Sequence, residues 1–204
     1  MNKQFWDERY GSEVFAYGED PNDFIKTTLP NYTPGKILFP ADGEGRNSVY
    51  AAQLGYQVYA FDLSDSGREK ALNLAQKHGV SLEYKVDSAE VVEYQFNEFD
   101  AIAFVFAHFP AEVKHQYNQK MLNFLKVGGY VFFEAFSKEH VEYQKKYPSV
   151  GGPKDVDMLF SKEELLETFV GLETILLEIK EVTLSEGPFH QGKGSVVRYI
   201  GRKK

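Results

Sequence analysis

The chain contains no cysteine among its 204 residues. This absence excludes disulfide bonds, thiolate metal sites and cysteine nucleophiles. Long hydrophobic runs are also missing, since no apolar stretch approaches the ~20 residues that a membrane-spanning helix needs. Clustered basic residues occur only at Arg202-Lys203-Lys204, and the net charge is −7. Because such a surface does not suit a phosphate backbone, we expect no duplex nucleic acid as a partner.

The beginning of the chain, Met1–Arg9, is polar and lacks the apolar core of a signal peptide. We therefore expect a cytoplasmic protein that does not associate with membranes. The composition is 43% hydrophobic and 15% aromatic, which is enough for a sizeable core. Since the sequence has no repeat, low-complexity segment or linker, it predicts one domain over residues 1–204. It does not indicate an oligomeric state.

Strand-like and helix-like segments alternate along the chain, which predicts an α/β fold with a doubly wound, mostly parallel sheet. The predicted strands are 37–40, 57–61, 82–86, 100–106, 130–136, 174–184 and 195–200. The predicted helices are 46–54, 65–78 with Ser64 as N-cap, one opening at Pro110, and a short one after a capping box at Ser161. Because the connection 185–194 carries no helix, the last strand is expected to be antiparallel. Residues 1–30 are interpreted as a helical region, and 137–160 as a long excursion.

A Gly-rich turn follows the first predicted strand, and the second strand ends on Asp62. A strand–turn–helix–strand–acid unit of this size is typical of the nucleotide-binding half of a doubly wound sheet. Gly43 and Gly45 would let a ligand approach the backbone, and Asp62 would accept hydrogen bonds from ribose hydroxyls. The alternative is an ordinary surface turn between a strand and a helix.

The charge of this turn indicates which adenosine cofactor it suits. Asp42 and Glu44 would repel the pyrophosphate of a dinucleotide, and Ser48 stands where the pattern G-x-G-x-x-G has its third glycine. S-adenosylmethionine instead carries ammonium and sulfonium charges and no phosphate. The sequence therefore favours S-adenosylmethionine, with an NAD-dependent dehydrogenase as a less favoured alternative.

Six stretches in order resemble class I S-adenosylmethionine-dependent methyltransferases over essentially the whole chain, with the nearest likeness to small bacterial enzymes of the tellurite-resistance and thiopurine type. They are Phe5–Tyr10 followed by Tyr17-Gly18, Gly43–Asn47, Phe104–Pro110, Leu125–Tyr130, Gly151–Asp155 and Glu186–Arg198. The resemblance implies a Rossmann-like, seven-stranded sheet with an antiparallel last strand, and methyl transfer to a small molecule, such as a thiol or a metalloid oxyanion.

The same resemblance implies a set of cofactor contacts. They are Ala41, Asp42, Gly43, Glu44, Gly45 and Asn47 in the turn, Asp62, Leu63 and Ser64 after the second strand, Asp87, Ser88 and Ala89 near adenine, and Phe106 and Ala107 under the methionine moiety. The chain departs from the family pattern at Phe39, where an acid is common, and at Ala41, where glycine is common. Asp42 or Glu44 would then supply the negative charge. If neither does, the alternative is a non-catalytic module that binds S-adenosylmethionine.

Methyl transfer displaces a neutral leaving group, so a general base is needed only when the acceptor must lose a proton. His108 follows the central strand at its carboxyl end, where ligands bind, and is the candidate catalytic residue. Its alternative role is to cap the next turn or pack between Phe106 and Phe109.

The candidate acceptor-side residues are Trp6, Tyr10, Tyr17, Phe109, Glu134 and His190. The first three could form a lid whose aromatic faces stabilise a sulfonium, or could simply hold the N-terminal helix to the sheet. Glu134 ends a buried strand and His190 lies in the last connection, where an ordinary loop histidine is the alternative. His78, His115 and His140 are expected at the surface. No paired histidines and acids have metal-ligand spacing.

Overall fold

The computed structural model describes residues 2–204 and shows a seven-stranded mixed sheet with helices on both faces. The strands are β1 (Lys36–Pro40), β2 (Gln57–Asp62), β3 (Glu83–Val86), β4 (Phe99–Val105), β5 (Leu125–Phe136), β6 (Leu172–Glu186) and β7 (His190–Lys203). The helices are α1 (Lys3–Tyr10), α2 (Asp23–Thr28), α3 (Arg46–Gln53), α4 (Asp65–Lys77), α5 (Lys114–Leu122), α6 (His140–Lys146) and α7 (Lys162–Thr168).

The strand order is β3-β2-β1-β4-β5-β7-β6. β1 to β5 pair in parallel, and β7 runs antiparallel to both β5 and β6. The predicted doubly wound sheet with an antiparallel last strand is therefore confirmed. Chain order reverses between β1 and β4, and open α/β sheets bind ligands at the carboxyl ends of strands beside such a reversal.

The core consists of two main clusters, one on each face of the sheet. Neighbouring residues of β5 point to opposite faces, so Phe133 joins one cluster and Phe132 the other. Phe39, at the position where the family commonly has an acid, is buried in the second cluster together with Phe24 and Ile25. Its ring is therefore part of the hydrophobic core under the Gly-rich turn.

Local sequence signals set several helix starts as predicted. The Ser64 hydroxyl accepts a hydrogen bond from the Gly67 amide at 2.9 Å and caps α4. Ser161 and Glu164 form the predicted capping box at α7. The helix predicted from Pro110 begins only at Lys114, because the Pro110 carbonyl first closes a turn with the amides of Val113 and Lys114.

The N-terminal region and the excursion are less regular than the helices around them. Between α1 and α2 the chain is not helical, so the expected helical region 1–30 holds two separate short helices and a 3₁₀ turn over Leu29–Asn31. The excursion 137–160 contains α6 and a single 3₁₀ turn. No helix within residues 2–204 has the length and apolar character that a membrane span requires.

The prediction that residues 185–194 form a connection between the last two strands is wrong in its bounds. β6 and β7 form one long hairpin, whose pairing continues to Glu186 opposite His190 and leaves only Gly187–Phe189 as the turn. Gly192 and Gly194 lie within β7, where they make room for rings. A Cβ at Gly192 would lie 3.2 Å from Tyr147, and one at Gly194 would lie 3.1 Å from the ring of His140.

Candidate active site

A cavity of about 310 Å³ opens at the carboxyl ends of β1, β2 and β4. It contains most of the residues that the sequence singled out. These are Trp6, Tyr10, Tyr17, Ala41, Asp42, Gly43, Glu44, Asn47, Asp62, Leu63, Asp87, Ala89, Phe106, His108, Phe109 and His190. The strand topology thus brings the Gly-rich turn, the acid after β2 and the end of the last hairpin to one site.

The turn from β1 to α3 is held in a left-handed backbone conformation at three positions. Ala41, Gly43 and Gly45 have φ values of 51°, 61° and 85°. The Gly43 amide donates to Asp62 Oδ2 at 3.0 Å, and its carbonyl accepts from the Tyr84 hydroxyl at 2.6 Å. No pattern in the sequence indicated Tyr84, whose hydroxyl holds this turn in place.

Two acids, the half-buried Asp42 and the buried Asp62, line this end of the cavity. Burial raises the pKa of Asp42 to about 7; the Ser48 hydroxyl, which donates at 2.5 Å, opposes the shift, and the nearby Asp62 adds to it. Burial likewise raises the pKa of Asp62 to about 6, against the amides of Ser64 and Gly43. Within the described residues neither acid forms a salt bridge. A bound cation would relieve the cost of both charges.

Glu44 is engaged elsewhere. One carboxylate oxygen pairs with Lys70 at 2.8 Å, and the other accepts from the Ala16 amide at 2.8 Å. Burial raises the pKa of Glu44, and the Lys70 ammonium opposes that shift. Of the two acids that were expected to replace the missing carboxylate at Phe39, Asp42 is therefore the one without a cationic partner.

Two predicted contact residues of the turn region lie outside the cavity lining. A Cβ at Gly45 would lie 2.5 Å from the Cβ of Ala71, so this glycine allows α3 and α4 to pack closely. Ser64 is fully buried, and its hydroxyl both caps α4 and donates to Asp7 at 2.7 Å. Both residues hold together the elements that surround the cavity.

Three further predicted residues do not line the cavity. Ser88 lies in the turn after β3, where its carbonyl accepts from Val92, and Ala107 packs into the core. Glu134 does not point into the mouth, because its carboxylate is buried against Arg198 and accepts from Asn22 at 2.7 Å. Ala107 thus contributes to the core and Glu134 to a buried ion pair.

His108 lines the cavity, but both of its ring nitrogens face backbone groups. Nδ1 lies 3.2 Å from the Met158 carbonyl, and Nε2 accepts from the Phe136 amide at 3.4 Å. Burial lowers the pKa of His108 to about 3. The geometry therefore corresponds to the packing alternative, with the imidazole neutral and stacked on Phe136.

His140 is also not at the surface, contrary to expectation. It is fully buried, its ring stacks on Phe136 with centroids 3.8 Å apart, and its nitrogens lie 3.2 Å from the Gly151 carbonyl and the Ser195 amide. Burial lowers the pKa of His140 to about 4. It connects the excursion to β7.

His190 is buried at the first position of β7 and differs from the other two histidines. Its Nδ1 lies 3.0 Å from Glu186 Oε2, while Nε2 makes no hydrogen bond to any described residue. Arg46 donates to the same Glu186 oxygen at 3.0 Å. His190 therefore presents one free ring nitrogen in a cavity lined by Tyr17 and Phe106.

Three segments cover the cavity. Trp6 and Tyr10 of α1 stack with centroids 5.4 Å apart, and the Phe189 amide of the hairpin turn donates to the Ala16 carbonyl at 3.3 Å. Gly151–Pro153 of the excursion forms the third side. The N-terminal region thus lies where the sequence expected a lid.

Arg9 is a cavity residue that the sequence interpretation missed. Its guanidinium lies 3.9 Å from the centre of the Phe189 ring and donates to the Tyr17 hydroxyl at 3.2 Å. It pairs with no carboxylate among residues 2–204, whereas Arg46 pairs with Glu186. Other lining residues that were not predicted are Phe5, Gly18, Arg46, Phe61, Val105, Pro110, Phe136, Gly151, Gly152, Pro153 and Phe189. Several of these residues belong to the stretches that carry the family resemblance, so that resemblance was the signal from which they could have been predicted.

Residues 37–129, from β1 into β5, match the family model of a methyltransferase domain. No protein of curated function matches the chain in sequence. Many solved structures are similar in fold. One, from work on the conversion of a disulfide bond into a thioacetal group during echinomycin biosynthesis, has a TM-score of 0.77 and 18% identity, over 98% of this chain and 92% of that one.

Two other similar structures carry printed functions or names. TehB from Haemophilus influenzae has a TM-score of 0.70 and 20% identity, over 99% of this chain and 67% of that one. The 1,6-didemethyltoxoflavin-N1-methyltransferase of Burkholderia thailandensis, with its substrate and S-adenosylhomocysteine bound, has a TM-score of 0.59 and 17% identity, over 84% and 72%. Residues 37–129 of the chain are thus similar to a methyltransferase domain, and the whole sheet has the fold that these structures share.

Proposed function

We propose that the cavity binds S-adenosylmethionine and a small-molecule acceptor side by side. We also propose that residues 1–204 form one domain. The observation that carries the proposal is the pair of acids at the turn end of the cavity, the half-buried Asp42 and the buried Asp62, which lack a cationic partner among the described residues. A charge pair of this kind disfavours an anionic pyrophosphate and favours a cationic ligand.

The residues present fit the chemical groups of this cofactor. Asp42 would hold the ammonium group, and Arg9, which lacks a carboxylate partner, would hold the carboxylate. Asp62 accepts only two backbone hydrogen bonds on its side-chain oxygens, and a carboxylate has about four acceptor positions, so ribose hydroxyls can be added. Asp87 and Ala89 line the cavity beyond Asp62 and would flank adenine.

When bound, the cofactor supplies an electrophilic methyl group on a sulfonium. The chain's own contribution is to position the acceptor and exclude water. The N-terminal region, the hairpin turn and Gly151–Pro153 would cover both ligands. Phe106, Phe109, Phe136 and His190 would form the acceptor side, and we propose a thiol or a metalloid oxyanion as the acceptor class. A cytoplasmic location stays a prediction.

An acceptor screen tests this function directly. The purified protein is incubated with S-adenosylmethionine and thiols or metalloid oxyanions, and release of S-adenosylhomocysteine is followed. We expect saturable release with at least one member of these classes, and none with Asp42→Asn at the same cofactor concentration. Tight cofactor binding with no turnover on any acceptor would favour the non-catalytic binding module instead.

A further inference from the structure

The end of the β6–β7 hairpin places an acid and a histidine directly opposite each other. Glu186 and His190 are the last paired residues before the turn, and directly opposite residues of an antiparallel pair project to the same face. The hairpin thereby brings Glu186 Oε2 to 3.0 Å from His190 Nδ1. Because the carboxylate can only accept, this contact places a proton on Nδ1 and leaves the lone pair on Nε2.

We propose that His190 is the general base that takes a proton from the acceptor through Nε2, and that Glu186 positions its ring. This inference rests on the proposed function and narrows the acceptor to a molecule with an O–H, N–H or S–H group that is still protonated when it binds. An acceptor that is already an anion would have no use for this residue.

The lack of a side chain at Gly151 leaves room beside the Nε2 edge of the ring. Gly151 faces this edge of the imidazole, and a Cβ there would lie 2.8 Å from His190 Cδ2 and 3.4 Å from Nε2. His108 and His140 have both nitrogens within 3.4 Å of backbone groups. Among the histidines buried around the cavity, His190 is therefore the one with a ring nitrogen available to a ligand.

Charges around the pair keep Glu186 ionised. Burial alone would raise the pKa of Glu186, but hydrogen bonds from His190 and Arg46 and the charge of Arg46 lower it to about 2. Burial lowers the pKa of His190, while Glu186 opposes that shift, so the imidazole is neutral at pH 7. The titratable or charged groups that face the ring are Glu186, Arg46, Arg9, Tyr17, His108 and His140.

The proposed step breaks two bonds and forms two. The acceptor's bond to hydrogen breaks, and its proton moves to His190 Nε2. The electron pair that remains on the acceptor forms the new bond to the methyl carbon, and the electron pair of the broken C–S bond stays on sulfur, which leaves as a neutral thioether. The imidazolium is then stabilised by Glu186, which stays ionised, and it returns the proton to solvent after product release.

Nuclear magnetic resonance of labelled histidine tests the geometry without any acceptor. His190 is assigned by comparison with His190→Gln. We expect the Nδ1–H tautomer and a pKa below 6.5 in the wild type, and a still lower pKa in Glu186→Gln, because the opposing charge is removed. An Nε2–H tautomer in the wild type, or an unchanged pKa in Glu186→Gln, would overturn the proposal.

Kinetic measurements with an acceptor that the protein methylates are the second test. His190→Gln should lower kcat by about 10²–10³-fold while S-adenosylmethionine affinity changes less than about twofold. Glu186→Gln should lower kcat less and move the acidic limb of the pH profile downward. His78→Gln, at an exposed helix end, is the matched control and should not change kcat. An unchanged kcat in His190→Gln would reject the role of His190 as general base and leave the proposed function standing. A wild type that binds no S-adenosylmethionine would reject the proposed function itself. If His190→Gln does not fold, the resonance measurement on the wild type and Glu186→Gln decides, with His190 assigned through correlation of its ring signals with its backbone signals.

Discussion

Ala41 lies in the left-handed region, with φ of 51°, at a position where the family pattern has glycine. This conformation costs an L-residue roughly 1–2 kcal/mol. Glycine would remove that cost, but it would also increase the conformational entropy of the unfolded chain, which cancels part of the gain. We predict that Ala41→Gly raises the free energy of unfolding by about 0.5–1 kcal/mol in urea titrations. Ala52→Gly, inside α3, is the control and should lower it by about 1 kcal/mol. Destabilisation by Ala41→Gly would show that the turn is not strained.

Asp42 also lowers the free energy of unfolding, because its carboxylate is desolvated in the folded protein. Its pKa is raised in the folded state, so between pH 4 and 7 the folded protein holds a proton that the unfolded chain has lost, and stability falls as pH rises through this window. Asp42→Asn keeps an acceptor for Ser48 and removes the charge. We predict a gain of at least ~1 kcal/mol in the free energy of unfolding at pH 8, and a smaller gain at pH 5.

The same substitution should weaken S-adenosylmethionine binding, because the partner of the ammonium group is lost. Asp20→Asn is the matched control, since Asp20 is exposed outside the helices and strands and should affect neither property. Equal affinity in Asp42→Asn and the wild type at pH 8 would contradict the assigned role of Asp42.

Arg9 has no carboxylate partner within the described part of the chain, and we predict that Arg9→Gln weakens S-adenosylmethionine and S-adenosylhomocysteine about tenfold. A decarboxylated S-adenosylmethionine should bind wild type and Arg9→Gln equally, because it lacks the group that Arg9 would hold. Calorimetric titration measures all six combinations of the three ligands with the two proteins, with Lys26→Gln on the exposed face of α2 as control. Unchanged cofactor affinity together with a raised acceptor KM would place Arg9 on the acceptor instead.

At the scale of elements, the hairpin turn and the N-terminal region depend on each other. A Cβ on Gly187 would lie 2.5 Å from the Ala16 carbonyl oxygen and 2.6 Å from the Gly18 amide nitrogen. We predict that Gly187→Ala separates these segments, speeds amide hydrogen exchange in residues 11–21 and weakens cofactor binding. Gly79→Ala is the control. Gly79 has a similar positive φ of 69°, and an added Cβ there would have no atom within 4 Å, so this substitution introduces only the backbone strain. Identical exchange in the two variants would show that the contact does not close the cavity.

Element boundaries followed the sequence where local signals set them. The caps at Ser64 and Ser161 and the strand β4 were predictable because they depend on neighbouring residues. The β6–β7 hairpin was not, because Gly192 and Gly194 looked like turn residues until Tyr147 and His140 were seen to pack on them. A glycine has the same local signal whether it turns the chain or accommodates a ring.

At the scale of the whole molecule, the sheet and the position of the cavity could be predicted, since both follow from the order of strands and helices. The partners inside the cavity could not. Arg46 and Glu186 are 140 residues apart, and Asn22 and Glu134 are 112 apart, so no local pattern predicts either pair. The same limit led the sequence to favour His108 as the catalytic candidate, although His190 has the free nitrogen.

The cavity is proposed to bind S-adenosylmethionine through its positively charged groups. Calorimetric titration of the purified chain with S-adenosylmethionine, S-adenosylhomocysteine and NAD at pH 8 is the measurement that decides this. We expect micromolar dissociation constants for the first two ligands and no heat of binding for NAD. Absence of binding for both sulfur ligands would contradict it, because Phe39 and Ala41 would then have disabled the turn that Asp42 is proposed to complete.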